Sequence, residues 1–298
     1  MPHAPEGVAA ARAAGMRIAY VTNNASRPPA LVAERLTGLG MPAEPHEVVT
    51  SAQAAARVLA EQLAAGAVVL VVGTAALADE VRAVGFSPVH ALADAGKAGV
   101  DAVVQGLSPD TCQRDLADAA VALRGGALWI AANTDLTLPS VRGPLPGNGA
   151  FVALLRAVTG LEPLVAGKPD PALHRESVER VGARTPLVVG DRLDTDVLGA
   201  VRGGADSLLV LTGVTDRDGL LAAPAGSRPT YVSSDLRGLT EAHPEVEVDV
   251  DAARATCRQA RASLVEGRVV VQGEGDDALR AEVALTWALH DAGQRPAG

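Results

Sequence analysis

The chain has 298 residues, 48 % of them hydrophobic but only 2 % aromatic, with a formal net charge of −9 and a sequence pI near 5.2. That length suits one large α/β unit or two linked domains, with a core of Val, Leu, Ala and Ile rather than rings. The acidic balance, with no Lys/Arg cluster, excludes a nucleic-acid backbone as partner, and an anionic metabolite would need local cations or a metal in its pocket.

Cys112 and Cys257 stand far apart in no metal-ligand spacing, so neither a disulfide framework nor a zinc site is expected. The longest apolar stretch, residues 64–78, is broken by Gly66 and Gly73 and is too short to cross a bilayer. The start, MPHAPEGVAAARAAG, lacks a basic segment followed by an apolar one. The expected compartment is the cytoplasm, without membrane insertion.

In chain order, short apolar runs alternate with Ala-rich helical stretches, the pattern of βα units around a mainly parallel sheet. Strands are predicted at 17–21, 68–72, 102–104, 128–131, 187–189 and 208–211. Between them, Pro28 and Pro29 suit the first turn of a helix over LVAERLTGLG, Thr50 with Gln53 predicts a capping box before AAARVLAEQL, and Gly40 and Gly66 are natural stops. Residues 142–149, RGPLPGNG, read as a loop or hinge. Beyond Tyr231 the pattern weakens to PEVEVDVD, an Arg/Ala-rich helix near 252–264, a strand RVVVQ, a helix over 276–290 and a frayed tail GQRPAG.

The strand ends carry the chemistry, because an open α/β sheet places its ligands beside the carboxyl ends of its strands. The first apolar run stops on Thr22, Asn23 and Asn24, and the strand before GDRLDTD delivers Asp191, Asp194 and Asp196 within six positions. Carboxylates that close require a cation or solvent. An EF-hand fails, since the twelfth position counted from Asp191 or Asp194 is Arg202 or Ala205 rather than Glu. Mg²⁺, which takes one or two carboxylates and completes its shell with water and phosphate oxygens, suits the pattern, while helix capping remains the structural alternative, more so for Asp194 and Asp196. Upstream, AGKPDP holds Lys168 between Gly167 and Pro169. A hydroxyl, an amide N–H and an ammonium together form a donor set able to neutralise a phosphoryl group.

VTNNASR, GKPDP and GDRLDTDVLGA with the following LLVLTGV resemble, in order and spacing, motifs two, three and four of the haloacid dehalogenase (HAD) superfamily, type IIA, the p-nitrophenylphosphatase/NagD-like branch. The resemblance runs over about residues 4–215. It implies a HAD-like Rossmannoid parallel-sheet core over 1–48 and 146–240, an inserted α/β cap domain over 49–145 and a small α+β appendage over 241–298. It further implies that Thr22 and Asn23 hold the transferring phosphoryl group, that Lys168 neutralises it, and that Asp191 ligates Mg²⁺ with Asp196 steadying the metal's surroundings or Lys168. Asn24, Asn133 and Asp135 are candidate substrate-binding residues, the last two in AANTDLTLP, where a turn or cap role is equally expected. A homodimer through the cap is expected from the same resemblance.

Within that branch VVTSAQAAA, VVQGLS, GALWIAAN, LPGNGA and RPTY are most similar to the actinobacterial glycerol 3-phosphate phosphatases. The implied activity is Mg²⁺-dependent hydrolysis of a small phosphorylated metabolite through an aspartyl-phosphate. A distant third possibility, a nucleotide-binding dehydrogenase, would want G-x-G-x-x-G, which GNGAFV does not supply.

The family's nucleophile belongs to a D-x-D-G motif ending a first strand, a short loop before APEGVAAARAAG. The sequence is read as lacking both strand and motif, and Glu6, on the first helix, is the only acid in the first fifteen residues. The expectation is therefore a core sheet missing one strand between those ending in TNN and GD, a true start upstream of Met1, and a 298-residue chain that binds phosphate and Mg²⁺ weakly without turnover. The alternative is a truncated, catalytically inactive phosphate-binding or regulatory module.

Overall fold

The computed structural model describes residues 2–138 and 140–294; Pro139 of the AANTDLTLP segment and the last four residues of the expected frayed tail lie outside the described residues. The chain forms two compact units, a middle unit Ile18–Ala183 and a terminal unit of Met1–Arg17 with Arg184–Gly298. The edges of these units differ from the expected boundaries at 49, 146 and 241. No helix among the described residues is long and apolar enough to cross a membrane.

Helix α1 (Ala4–Ala13) belongs to the terminal unit. Its buried residues Ala4, Gly7, Val8 and Ala11 recur at helical spacing, and Glu6 in the first turn and Arg12 in the last suit the helix dipole. Gly7 is required: a Cβ there would lie 2.7 Å from Leu236 Cβ and 2.8 Å from its carbonyl oxygen.

The middle unit opens with β1 (Tyr20–Thr22), shorter than predicted because its parallel partner β2 (Val48–Thr50) offers three residues. Between them runs α2 (Pro29–Gly38), entered through Pro28. The capping box at the start of α3 (Ser51–Gln62) forms as read: Gln53 N–H donates to Thr50 Oγ1 at 3.3 Å and Thr50 N–H to Gln53 Oε1 at 3.1 Å. There follow β3 (Val68–Val72), α4 (Ala75–Ala83), β4 (Ser87–Val89), β5 (Ala102–Gln105), α5 (Gln113–Arg124) and β6 (Leu128–Ala131). A short hairpin, β7 (Thr137–Leu138) with β8 (Leu145–Pro146), then leads to α6 (Asn148–Thr159), β9 (Leu164–Val165) and α7 (Pro171–Val181).

Strands β4, β3, β5, β6 and β9 form one parallel sheet in that order. A sheet covered on both faces needs near-continuous apolar strands, and these supply them. Val69, Val71, Val104 and Ile130 pack with Ala55, Leu59 and Leu77 on one face, while Leu70, Val72, Val103 and Trp129 pack with Leu123, Val152 and Leu155 on the other. The expected loop 142–149 contains β8 and the first turn of α6. Gly147 and Gly149 permit this, since a Cβ on either would strike the backbone of Asp135 or Thr134.

The rest of the terminal unit begins with β10 (Leu187–Gly190), one π-helical turn over Leu193–Val197, α8 (Leu198–Gly203), β11 (Asp206–Val210), α9 (Arg217–Leu221) and β12 (Tyr231–Ser233). Strands β10, β11 and β12 are parallel neighbours. The core strands form two parallel sheets, β1–β2 in the middle unit and β10–β11–β12 here, where the expectation leaves a strand missing between the one ending in TNN and the one ending in GD.

An antiparallel meander of β13 (Glu247–Asp249), β14 (Arg254–Cys257), β15 (Ala260–Val265) and β16 (Arg268–Gln272) follows, and α10 (Gly275–Asp291) packs on one of its faces. This corrects the helix expected near 252–264. Arg and Ala favour helix by propensity, but burial here has period two: Ala255, Cys257, Ala260 and Ala262 point inward, Arg254 and Arg261 outward. Arg258 at φ 52 makes the tight turn between β14 and β15.

Candidate functional site

In the middle unit the loop after β1 meets two others, and Asn23 joins all three. Its side-chain Nδ2 donates to both carboxylate oxygens of Asp135, at 3.3 and 3.2 Å, and to the carbonyl of Lys168 at 3.1 Å, while its Oδ1 accepts the Lys168 backbone N–H at 2.8 Å. The Asn23 carbonyl is in turn held by Asn133 Nδ2 at 2.7 Å and Ser51 Oγ at 2.6 Å. Lys168 Nζ reaches the carbonyl of Val21 at 3.5 Å. The loop ending in the lysine approaches so closely that Gly167 has no room for a side chain: a Cβ would sit 2.5 Å from Ala132 O and 2.7 Å from Asn23 Oδ1. The Lys168–Pro169 peptide is cis.

Two small turns shape the loop after β1. Thr22 Oγ1 accepts the Asn24 N–H at 3.2 Å, and Asn24 Oδ1 accepts the Ser26 N–H at 2.7 Å. Thr22 and Asn23 therefore follow the strand in a fixed conformation, and the side chain of Asn24 closes the turn beyond them. Asn133 works the same way on its own loop, its Oδ1 accepting the Asp135 N–H at 3.2 Å.

That loop is anchored from beneath by groups the sequence reading missed. Asn148, buried at the start of α6, donates Nδ2 to the Asn133 carbonyl at 2.7 Å, and Gly149 N–H donates to the Asp135 carbonyl at 2.9 Å. Ser51 was also missed. Only its position directly after the β2 strand end could have pointed to it.

The terminal unit holds the acidic turn. Asp191 follows β10, and its Oδ2 accepts the Val214 N–H at 2.7 Å while its carbonyl accepts that of Thr215 at 3.0 Å. Gly213 lies against this carboxylate with no space for a Cβ. Asp196 is buried and its Oδ2 accepts the Arg192 N–H at 3.2 Å; the backbone N–H groups of Asp196 and Val197 share the Arg192 carbonyl, both at 3.1 Å, which makes the π turn. Asp194 instead points to the surface, where Arg192 grips it through Nε at 2.9 Å and Nη2 at 2.7 Å. That guanidinium holds the Asp194 carboxyl below its usual range.

The three carboxylates thus separate into three roles: Asp191 ties down the loop at Val214, Asp196 the π turn, and Asp194 the surface guanidinium of Arg192. No group of three or more His, Cys, Asp or Glu able to hold a metal occurs among the described residues. The donors present fit a hard cation that takes one protein carboxylate and fills its shell with water and phosphate oxygens.

One expectation needs correction at the level of letters. D-x-D-G does occur, at Asp216–Gly219, but it opens a helix rather than closing a strand: Asp216 caps α9, its Oδ1 accepting the Gly219 N–H at 2.8 Å.

Models of the haloacid dehalogenase-like hydrolase family and of a related HAD-hydrolase-like group match residues 1–87 and 165–239. The acid sugar phosphatase of Staphylococcus saprophyticus is 36 % identical over 219 residues, 73 % of this chain and 81 % of that protein. The chain belongs to the haloacid dehalogenase-like hydrolase family. Its neighbours lie in the p-nitrophenylphosphatase-like branch. A D-glycerol 3-phosphate phosphatase of Mycobacterium tuberculosis is 58 % identical over 221 residues, 74 % of this chain and 61 % of that relative, so the matched stretch spans under two thirds of the relative's length. Among solved structures, a glycerol phosphate phosphatase of M. tuberculosis in complex with magnesium superposes with TM-score 0.84 at 47 % identity, over 96 % of this chain and 85 % of the other. A double mutant thermostable NPPase from Geobacillus stearothermophilus gives 0.72 at 33 %, over 80 % and 91 %.

Proposed function

We propose that this chain carries the phosphate-holding and metal-holding parts of a Mg²⁺-dependent phosphomonoester hydrolase, acting in the cytoplasm on a small phosphorylated metabolite, with glycerol 3-phosphate first among candidates. The observation that carries the reading is the three-way tie made by the Asn23 side chain. It fixes the end of β1, the loop bearing Asp135 and the loop bearing Lys168 against one another, the arrangement required to present a hydroxyl, a backbone N–H and an ammonium to one tetrahedral dianion. The printed activities of the M. tuberculosis and S. saprophyticus relatives point to the same substrate class.

In this reading Thr22 Oγ1 and the Asn23 N–H donate to phosphoryl oxygens and Lys168 Nζ neutralises the charge gathering on them. Asp135, oriented by Asn23 and Asn133, accepts from a hydroxyl of the leaving group. Asp191 Oδ1 would hold Mg²⁺, with Asp196 keeping the turn beneath it in shape. When bound, such an ion would supply Lewis-acid charge to an oxygen ligand. The family's reaction needs a further carboxylate as nucleophile. No strand among the described residues ends in D-x-D-G, so the 298-residue chain alone is expected to bind its ligand without turnover.

The test is phosphate release from glycerol 3-phosphate with Mg²⁺, comparing the 298-residue chain with a form extended ahead of Met1 by an apolar strand ending in D-x-D-G. Activity confined to the extended form, falling by about 10²–10³ in Lys168→Ala, supports the reading. Turnover by the 298-residue chain itself would overturn the account of the nucleophile. The second reading, an inactive phosphate-binding module, is favoured by the helix-capping use of the one D-x-D-G string, and it predicts phosphate binding with no turnover in either form.

A further inference from the structure

The hydroxyl of Ser51 has no task in its own helix and no route to a ligand. Ser51 is the first residue of α3, whose N-terminus is already capped by Thr50 with Gln53, and it is fully buried. Its Oγ instead donates to the Asn23 carbonyl at 2.6 Å, and Asn133 Nδ2 donates to the same oxygen at 2.7 Å. A carbonyl oxygen has two lone pairs, so these two donors fill it. The peptide joining Asn23 to Asn24 is planar and trans, which points its carbonyl and its N–H in opposite directions. Holding the Asn23 carbonyl therefore aims the Asn24 N–H, which donates to Thr22 Oγ1 at 3.2 Å. A threonine hydroxyl carries one hydrogen and two acceptor lone pairs and rotates to suit its surroundings. With the Asn24 N–H directed at the oxygen, a hydroxyl hydrogen turned the same way would meet another hydrogen, so the Thr22 O–H is turned away from the backbone. No described residue accepts it, and Thr22 is half-buried at the end of β1.

We propose that Ser51 is a positioning residue: by gripping the Asn23 carbonyl it aims the Asn24 N–H at Thr22 Oγ1, and so makes the Thr22 hydroxyl a donor in one direction only, toward the phosphoryl oxygens. This rests on the phosphate-holding reading of the site given above. The gain is preorganisation. A freely rotating hydroxyl must be ordered by each ligand that binds, and it can turn a lone pair toward an anionic oxygen, which repels it. A hydroxyl already fixed as a donor meets neither cost. Ser51 itself never touches the ligand; it acts through one peptide plane and the hydrogen bond at each end of it.

Inorganic phosphate titrated into the isotope-labelled 298-residue chain with Mg²⁺ present, followed by nitrogen–proton correlation spectra, reads the affinity and the state of each backbone N–H together. Ser51→Ala is expected to weaken phosphate binding about fivefold, the worth of one ordinary hydrogen bond, and Thr22→Val about tenfold or more, the worth of one to a charged group. Because Ser51 acts through Thr22, the double variant is expected to bind no more weakly than Thr22→Val alone. In the ligand-free chain Ser51→Ala is expected to shift the Asn24 amide proton upfield as its bond to Thr22 loosens. The Ser26 N–H, held by Asn24 Oδ1 at 2.7 Å, is expected to keep its position and so to show that the loop is intact. A further loss of about fivefold on adding Ser51→Ala to Thr22→Val overturns the proposal, since Ser51 would then act by another route. An undisturbed Asn24 amide in Ser51→Ala, or an affinity equal to that of the unaltered chain, does the same. Movement of the Asn24 and Ser26 amides together also overturns it, in favour of Ser51 as a general brace of the loop. Absence of phosphate binding by the unaltered chain is a separate failure: it removes the phosphate reading of the site, and the use of Thr22 with it, before any variant is compared.

Discussion

The loop cluster around Asn23 and the acidic turn at Asp191–Asp196 use opposite means to fix a polar group. In the middle unit the ties are long-range: Asn23 reaches partners 112 residues away in Asp135 and 145 away in Lys168. In the terminal unit the ties that Arg192 makes are local, to Asp194 two positions on and Asp196 four positions on, and the longer one, from Asp191 to Val214, spans 23 positions. A local turn folds with its own helix and survives the loss of one bond. A junction of distant loops stands or falls as a whole, because each loop is held in place by groups on the others.

Substitutions at the two places sharpen that contrast. The largest effect is expected from Gly149→Ala, whose methyl would press on the Thr134 carbonyl and displace the loop bearing Asn133 and Asp135; destabilisation of about 3 kcal/mol in urea unfolding is expected. Asn23→Leu removes the partners of the Lys168 N–H and of the Asp135 carboxylate together, at about 2–3 kcal/mol, and should abolish phosphate binding measured by calorimetry. A loss confined to one of the two readouts would break the idea of a single junction.

Smaller changes are expected where the ties are local. Thr50→Ala costs α3 its capping box, about 1 kcal/mol, with binding untouched. Smallest is Asp194→Asn. The folded-state pKa of Asp194 is depressed by Arg192, so its contribution is present above the ordinary carboxylate pKa and fades as pH falls through the lowered value. The side chain is 67 % exposed, and after solvent screening about 0.5 kcal/mol or less remains, visible as a slightly flatter acid limb in a pH series of unfolding midpoints.

The same contrast explains what could be read from the chain beforehand. The runs at 68–72 and 128–131 were legible to the residue because each is a buried, uninterrupted apolar strand. Thr22, Asn23 and Asp191 were legible as strand-end polar residues, and Lys168 as a cation set between Gly167 and Pro169. The hub role of the Asn23 side chain was not, since nothing in VTNNASR shows which distant carboxylate its amide will meet. Asn148 and Ser51 escaped for a similar reason: both act beneath a loop contributed by another part of the chain. The hairpin at 254–265 was hidden by composition, as Arg and Ala belong to helices by propensity while alternation of burial made them strands.

The close seat of Gly7 against Leu236 bears on how the chain comes off the ribosome. Synthesis completes the middle unit before the partner of α1 exists, so Val8 and Ala11 leave the exit tunnel with nowhere to dock and wait through the whole of Ile18–Ala183. The middle unit is then the first part able to fold, and the terminal unit closes only after synthesis has passed residue 236. Premature release or pausing before that point leaves α1 an exposed apolar helix, the part of the nascent protein in most need of a chaperone.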